Sequence, residues 1–70
     1  MPLSFVKLGE TKRIASLKGK DSVKRHLQDI GFNQGEEVKL LSENESGLIL
    51  LIKGVRIALN RSLAEKIIVE

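Results

Sequence analysis

Apolar residues recur along the chain with two different periods, and the change of period separates the predicted elements. Val23, Leu27 and Ile30 stand at i, i+4 and i+7, which places them on one face of a helix. From Glu37 onward the apolar residues alternate with polar ones or form short runs, as they do in β-strands. The pattern therefore predicts one short helix that is followed by several strands.

Two glycines separate this helix from the next strand. Gly31 follows the last apolar helix residue, where a helix ends in a left-handed conformation that glycine adopts without a Cβ penalty. Phe32 then occupies the place from which a Schellman cap packs an apolar side chain against the last turn, here against Leu27. Asn33-Gln34-Gly35 predicts a second turn.

The predicted strands are short. They cover residues 12–17, 37–41, 48–52, 55–59 and 67–69. Ile14 and Leu17 are three residues apart and cannot share one face of a regular strand, so we expect a bulge or bend between them. Lys53-Gly54 predicts a tight hairpin, with Val55, Ile57 and Leu59 on one face of the strand after it. Strand 48–52 is apolar on both faces, as expected of a central strand that is covered on each side.

Polar residues predict how the helical segments begin. Asp21 or Ser22 can cap the first helix, because each offers an oxygen to the free amides. A single helical turn starts at Asn60 or Ser62, and Ser62-Leu63-Ala64-Glu65 has the spacing of a capping box.

These elements predict a mainly β fold, a small closed or half-open barrel that forms a single domain over residues 1–70. The chain has no cysteine, which excludes disulfides and thiolate metal sites, so the core must be aliphatic. The longest apolar run, 48–52, is far too short to span a membrane. The N-terminus lacks the pattern of a signal peptide, and we therefore expect a cytoplasmic protein without direct membrane insertion.

The residues offer little reactive chemistry. His26 is the only histidine and is expected on the helix surface. The serines have no partner to activate them, the carboxylates lack calcium-loop spacing, and no glycine pattern matches a phosphate-binding loop. We therefore predict no enzyme activity, no catalytic or metal-ligating residue and no cofactor.

Charge is spread unevenly along the chain. Residues 1–28 carry seven basic and two acidic side chains, whereas residues 29–70 carry five basic and seven acidic ones. A basic half can contact phosphate, lipid head groups or an acidic protein, and it can also be a solvated face that maintains solubility. Asp29 lies in the last helical turn, where the helix dipole disfavours a carboxylate by roughly 0.3–1 kcal/mol. Arg25, four residues earlier, can offset part of this cost, and a charge that opposes the local rule marks a candidate contact.

Several segments in order resemble one family. They are Leu27-Gln28-Asp29-Ile30-Gly31-Phe32, Gly35, Val38, Gly54-Val55-Arg56-Ile57-Ala58-Leu59 and Ala64-Glu65-Lys66-Ile67-Ile68-Val69. Together they resemble the FeoA family (ferrous iron transport protein A), and they are similar to the SH3-like domain that closes metal-dependent repressors of the diphtheria-toxin-repressor type. The resemblance implies an SH3-like barrel of about five strands, with one short helix between strands 1 and 2 and a helical turn before the last strand.

The resemblance also implies a function. Family members support FeoB, a membrane ferrous-iron transporter with a cytoplasmic GTPase domain, so the chain is expected to bind FeoB and modulate its assembly or its GTPase activity. The partner-binding surface predicted here is the helix end with its cap and the adjacent hairpin, represented by Arg25, Asp29, Phe32 and Arg56. Phe32 has a second interpretation, that of a core residue of the cap.

Three other functions remain open at this point. A small barrel could bind nucleic acid through Lys12, Arg13, Lys18, Lys20 and Lys24, although the lack of Tyr and Trp and the acidic second half argue against it. The second is metal sensing through carboxylates and His26, and the third is service as a detached domain beside a metal-regulated repressor. The chain has no helix-turn-helix segment, which excludes a complete repressor.

Overall fold

Five antiparallel strands, one α-helix and two short helical segments form the structure, a computed structural model that describes residues 1–70. The elements are a 3₁₀ helix Leu3–Phe5, strand β1 Thr11–Leu17, helix α1 Asp21–Asp29, strand β2 Glu37–Glu43, strand β3 Gly47–Ile52, strand β4 Val55–Asn60, helical turn α2 Arg61–Ala64 and strand β5 Ile67–Val69. The strand order is β4-β3-β2-β1-β5. The predicted fold class is confirmed, including the helix between the first two strands and the helical turn before the last strand.

The two edges of the sheet differ. Beside β5, the chain start forms a bridge from Pro2 to Ile68, and the Val69 N–H donates to the Met1 carbonyl at 2.7 Å. Strand β4 pairs only with β3, so its other edge has no strand beside it. Of the two forms that the sequence left open, the barrel is therefore the half-open one.

Two bulges bend the sheet. The register between β1 and β5 shifts between Ile14 and Ser16, which confirms the predicted irregularity in the first strand. A second shift, between Leu40 and Ser42 where β2 meets β3, was not predicted. Each bulge adds local twist, which lets a sheet of five short strands curl around one core.

The core is entirely apolar. Its 14 buried residues are Leu3, Val6, Ile14, Leu27, Phe32, Val38, Leu40, Leu48, Leu50, Ile52, Leu59, Ala64, Ile67 and Val69. Leu3 and Val6 come from the irregular N-terminal stretch, which had no period to reveal them. The other buried positions lie mostly in the predicted elements, because alternation along each strand separates the core face from the solvent face.

The helix end forms as predicted. Gly31 has a φ of 117°, and its N–H donates to the Gln28 carbonyl at 3.0 Å. The Phe32 N–H donates to the Leu27 carbonyl at 2.9 Å. These are the two hydrogen bonds of a Schellman motif, and they turn the Phe32 side chain into the core.

The N-terminal caps of α1 and α2 differ from two of the sequence predictions. Lys20 is the N-cap of α1 and makes no side-chain cap hydrogen bond, so Asp21 lies in the first turn and neither Asp21 nor Ser22 is the cap. At α2 the Leu63 N–H donates to Asn60 Oδ1 at 2.8 Å, which makes Asn60 the cap. The capping box at Ser62 is wrong because Ser62 already lies inside the helical turn.

Strand β3 also differs from expectation. It is flanked by β2 and β4, but only its inner residues Leu48, Leu50 and Ile52 are buried, whereas Ile49 and Leu51 remain half-exposed on the outer face. The reason is that the barrel is a single curved sheet, and no second layer lies over this part of its outside.

The hairpin from β3 to β4 is confirmed, with φ values of 52° at Lys53 and 77° at Gly54. The alternation after it holds only in part. Leu59 is buried and Ile57 half-buried, but Val55 is 56% exposed because it lies beside the hairpin tip.

Gly47 provides a test of strand packing. A Cβ at this position would lie 2.5 Å from the Leu59 carbonyl oxygen, which is backbone and cannot move aside easily. We expect Gly47→Ala to lower the free energy of unfolding by roughly 1–3 kcal/mol in urea denaturation. The control is Ser42→Ala at an exposed strand position, which should stay within about 0.5 kcal/mol of the parent. Equal stability of the two variants would contradict the close approach of β3 and β4.

Candidate protein-docking surface

Helix α1 presents two of the predicted contact residues. Arg25 and Asp29 are both exposed on it, one turn apart. Neither takes part in any of the four ion pairs of the structure. The offset that the sequence suggested between these two charges is therefore not formed, and both are available to a partner.

Phe32 does not lie on the surface. Its side chain is 0% exposed and belongs to the same core cluster as Leu27. Of its two interpretations, the structure favours that of a core residue of the cap. Phe32 can act on a partner only by holding the helix end in place.

Arg56 lies on a different face from the helix end. It pairs with Leu51 across β3 and β4, and both side chains point outward. The cap lies instead over the inner face, since a Cβ on Gly31 would be 3.8 Å from Cγ2 of the buried Ile52. The structure thus brings Arg25, Asp29 and the cap together and separates Arg56 from them.

An open apolar groove occupies the outer face of β2, β3 and β4. It has a volume of about 700 Å³ and is lined by Leu41, Ser42, Ile49, Arg56 and Ala58. Cross-strand pairing explains the arrangement, because Ser42, Ile49 and Ala58 stand in one row over three adjacent strands. The bulge in β2 adds Leu41 to the same region.

Basic side chains next to the groove have no acidic partner. The ion pairs of the structure are Lys12–Glu10, Arg13–Glu37, Lys53–Glu36 and Arg61–Glu43. Lys39 and Arg56, which flank Leu51 on its two sides, are absent from these pairs. The outer face therefore combines an apolar surface with two free positive charges.

Sequence reasoning missed this groove because it assigned both faces of strand 48–52 to the interior. A usable clue was present in the hairpin. The two-residue turn at Lys53-Gly54 sets the register, which pairs Leu51 with Arg56 and Ile49 with Ala58. A charged and a small residue opposite these positions indicate an outer face.

The side chains that could ligate a metal ion are dispersed over the surface. His26 is exposed, and no three or more histidines or carboxylates are grouped so that they could hold a metal ion. None of the helices has the length and apolar character needed to cross a membrane. What the geometry offers is a docking surface on a half-open barrel.

This barrel is an SH3-like domain. One similar structure is that of FeoA from Stenotrophomonas maltophilia, which was solved in complex with zinc and is described as a prokaryotic SH3 domain protein. It superposes on this chain with a TM-score of 0.87 at 28% identity, over 100% of this chain and 89% of that one. An iron uptake regulatory protein (FeoA) superposes with a TM-score of 0.93 at 25% identity, over 100% and 95% of the two chains. A manganese-dependent transcriptional repressor shares the fold at 22% identity, with a TM-score of 0.92 over 100% of this chain and 35% of the repressor.

Sequence comparison leads to the family. A Methanocaldococcus jannaschii protein assigned as Fe(2+) transport protein A is 33% identical over 69 residues, which cover 99% of this chain and 84% of that protein. The FeoA domain matches residues 1–70. The chain belongs to the FeoA domain family, which is associated with ferrous iron transport. The resemblance inferred from the sequence is confirmed.

The two aromatic residues of the chain test the assignment of Phe32. Because Phe32 is fully buried, Phe32→Ala should lower the free energy of unfolding by roughly 3–5 kcal/mol. This is a large share of the total stability expected for a domain of this size. Phe5 is 72% exposed, so Phe5→Ala should change stability by less than about 0.5 kcal/mol. Urea denaturation followed by circular dichroism measures both. A similar loss in the two variants would show that Phe32 is not the core residue of the pair.

Proposed function

We propose that this protein is a cytoplasmic accessory protein of ferrous iron uptake, which binds the membrane ferrous-iron transporter FeoB and modulates its assembly or its GTPase activity. Membership of the FeoA family over the whole of residues 1–70 is the observation that carries this proposal. The protein acts by binding and not by catalysis, since its exposed features are a docking groove and free charges.

Two parts of the surface are suited to a protein partner. One is the end of α1, where Arg25 and Asp29 are exposed and unpaired beside the hydrogen-bonded cap. The other is the outer face around Arg56. Both lie on regular elements, which hold contact residues in place more firmly than loops do.

Charge reversal tests the proposed surface. Arg25→Glu and Arg56→Glu should each weaken binding to purified full-length FeoB by roughly fivefold to tenfold, because each turns an attraction into a repulsion at the rim of the contact. Neither residue has an ion pair in the structure, so the thermal melting curves should stay nearly unchanged. Biolayer interferometry with FeoB in nanodiscs measures the affinity, and Lys18→Glu is the matched control for a general charge effect.

Binding of the unmodified protein to FeoB tests the proposed function itself. The protein should bind FeoB and change either the rate of GTP hydrolysis or the oligomer distribution of the transporter. Failure of the parent protein to bind would refute the proposed function. Full binding by both variants would remove Arg25 and Arg56 from the contact while leaving the function in place.

A further inference from the structure

We infer that the outer-face groove of β2, β3 and β4 docks a short cytoplasmic segment of the transporter in which an apolar side chain stands next to carboxylates. This inference rests on the proposed function and specifies the contact surface and the chemistry of the bound segment. It follows from the apolar floor of the groove and from the two free cations beside it.

The floor of the groove suits an apolar side chain. Ile49 lines the groove, and Leu51 lies next to it on the same outer face of β3; both are large aliphatic residues without a covering layer. Ala58 beside Ile49 is small, which leaves the space that Leu41 and Ser42 border on the other side. Covering this apolar area would remove it from water, which favours binding.

The positive charges beside the groove favour a carboxylate next to that apolar side chain in the bound segment. Lys39 and Arg56 stand in one cross-strand row with Leu51 between them, so their backbones are roughly 10 Å apart. Both side chains are long, and a carboxylate placed over Leu51 lies within reach of either one. Two cations without a partner next to an apolar floor favour an acidic segment over a basic or neutral one.

No acidic residue of the protein itself meets this need. The carboxylates on β2 are engaged elsewhere, Glu37 with Arg13 at 3.7 Å and Glu43 with Arg61 at 3.3 Å. The five carboxylates without an ion pair lie outside β2, β3 and β4; they are Asp21, Asp29, Glu45, Glu65 and Glu70. A carboxylate that pairs with Lys39 or Arg56 would therefore be supplied by the partner.

Three variants separate the parts of this contact. Lys39→Glu reverses one of the two charges, and Ala58→Arg fills the groove while keeping the surface positive. Both positions are exposed, so both variants should fold. Lys20→Glu is the control, a reversal at an exposed cation that caps the start of α1 and does not line the groove.

Binding to full-length FeoB in nanodiscs is the measurement, together with a peptide array that covers the cytoplasmic segments of the transporter. Lys39→Glu and Ala58→Arg should each weaken binding about tenfold or more, whereas Lys20→Glu should change it less than about twofold. On the array, the parent protein should retain peptides with an apolar residue beside Asp or Glu, and Ala58→Arg should lose them.

Other outcomes overturn the inference in distinct ways. If the parent protein binds FeoB and both groove variants bind equally well, the groove is not the contact and the proposed function stands. If the parent protein does not bind FeoB, the proposed function fails and this inference fails with it. Dimers in analytical ultracentrifugation that Ala58→Arg dissociates would assign the groove to a second copy of the chain. Equal weakening by Lys20→Glu, or a gel shift with DNA or RNA, would indicate a general polyanion surface instead.

Discussion

The burial of Phe32 behind the cap of α1 is the constraint on which the rest of the structure depends. In a chain with only two aromatic residues, this ring is the largest side chain in the core. Two hydrogen bonds from Gly31 and Phe32 to the last helical turn set its direction, and they also stop the helix. The same local motif therefore ends the helix, fills the core and leaves Arg25 and Asp29 exposed on the helix surface.

The outer groove follows from the size of the domain. With 70 residues the chain can build one curved sheet around one core, and it has no second layer to cover the outside of β3. An aliphatic strand in such a fold buries every second side chain and leaves the others, here Ile49 and Leu51, at the surface. Exposed apolar area of this kind is costly for an isolated protein, and it is most useful where a partner covers it.

Much of the fold could be predicted from local patterns. The helix, its glycine cap, the hairpin at Lys53-Gly54 and the bulge after Ile14 were all confirmed, because each depends on residues that are close in sequence. The N-cap of α1 and the capping box at Ser62 were wrong. In both cases several neighbouring polar residues could serve as caps, and the choice depended on where the chain leaves the preceding turn or strand.

The candidate site was less accessible to sequence reasoning. The chemistry of its residues was visible in the sequence, since charge and apolarity are properties of single side chains. The resemblance to the FeoA family was also visible, because it rests on several short segments in a fixed order along the chain. Which face of β3 points outward, and which cations lack a partner, are decided by contacts between strands that are distant in sequence. The sequence by itself determined an aliphatic β-rich domain with one capped helix. Only the tertiary structure decided that Arg56 lies apart from Arg25 and Asp29, and that Lys39 and Arg56 flank Leu51 beside an open apolar groove, because these facts arise from strand pairing and not from local conformation.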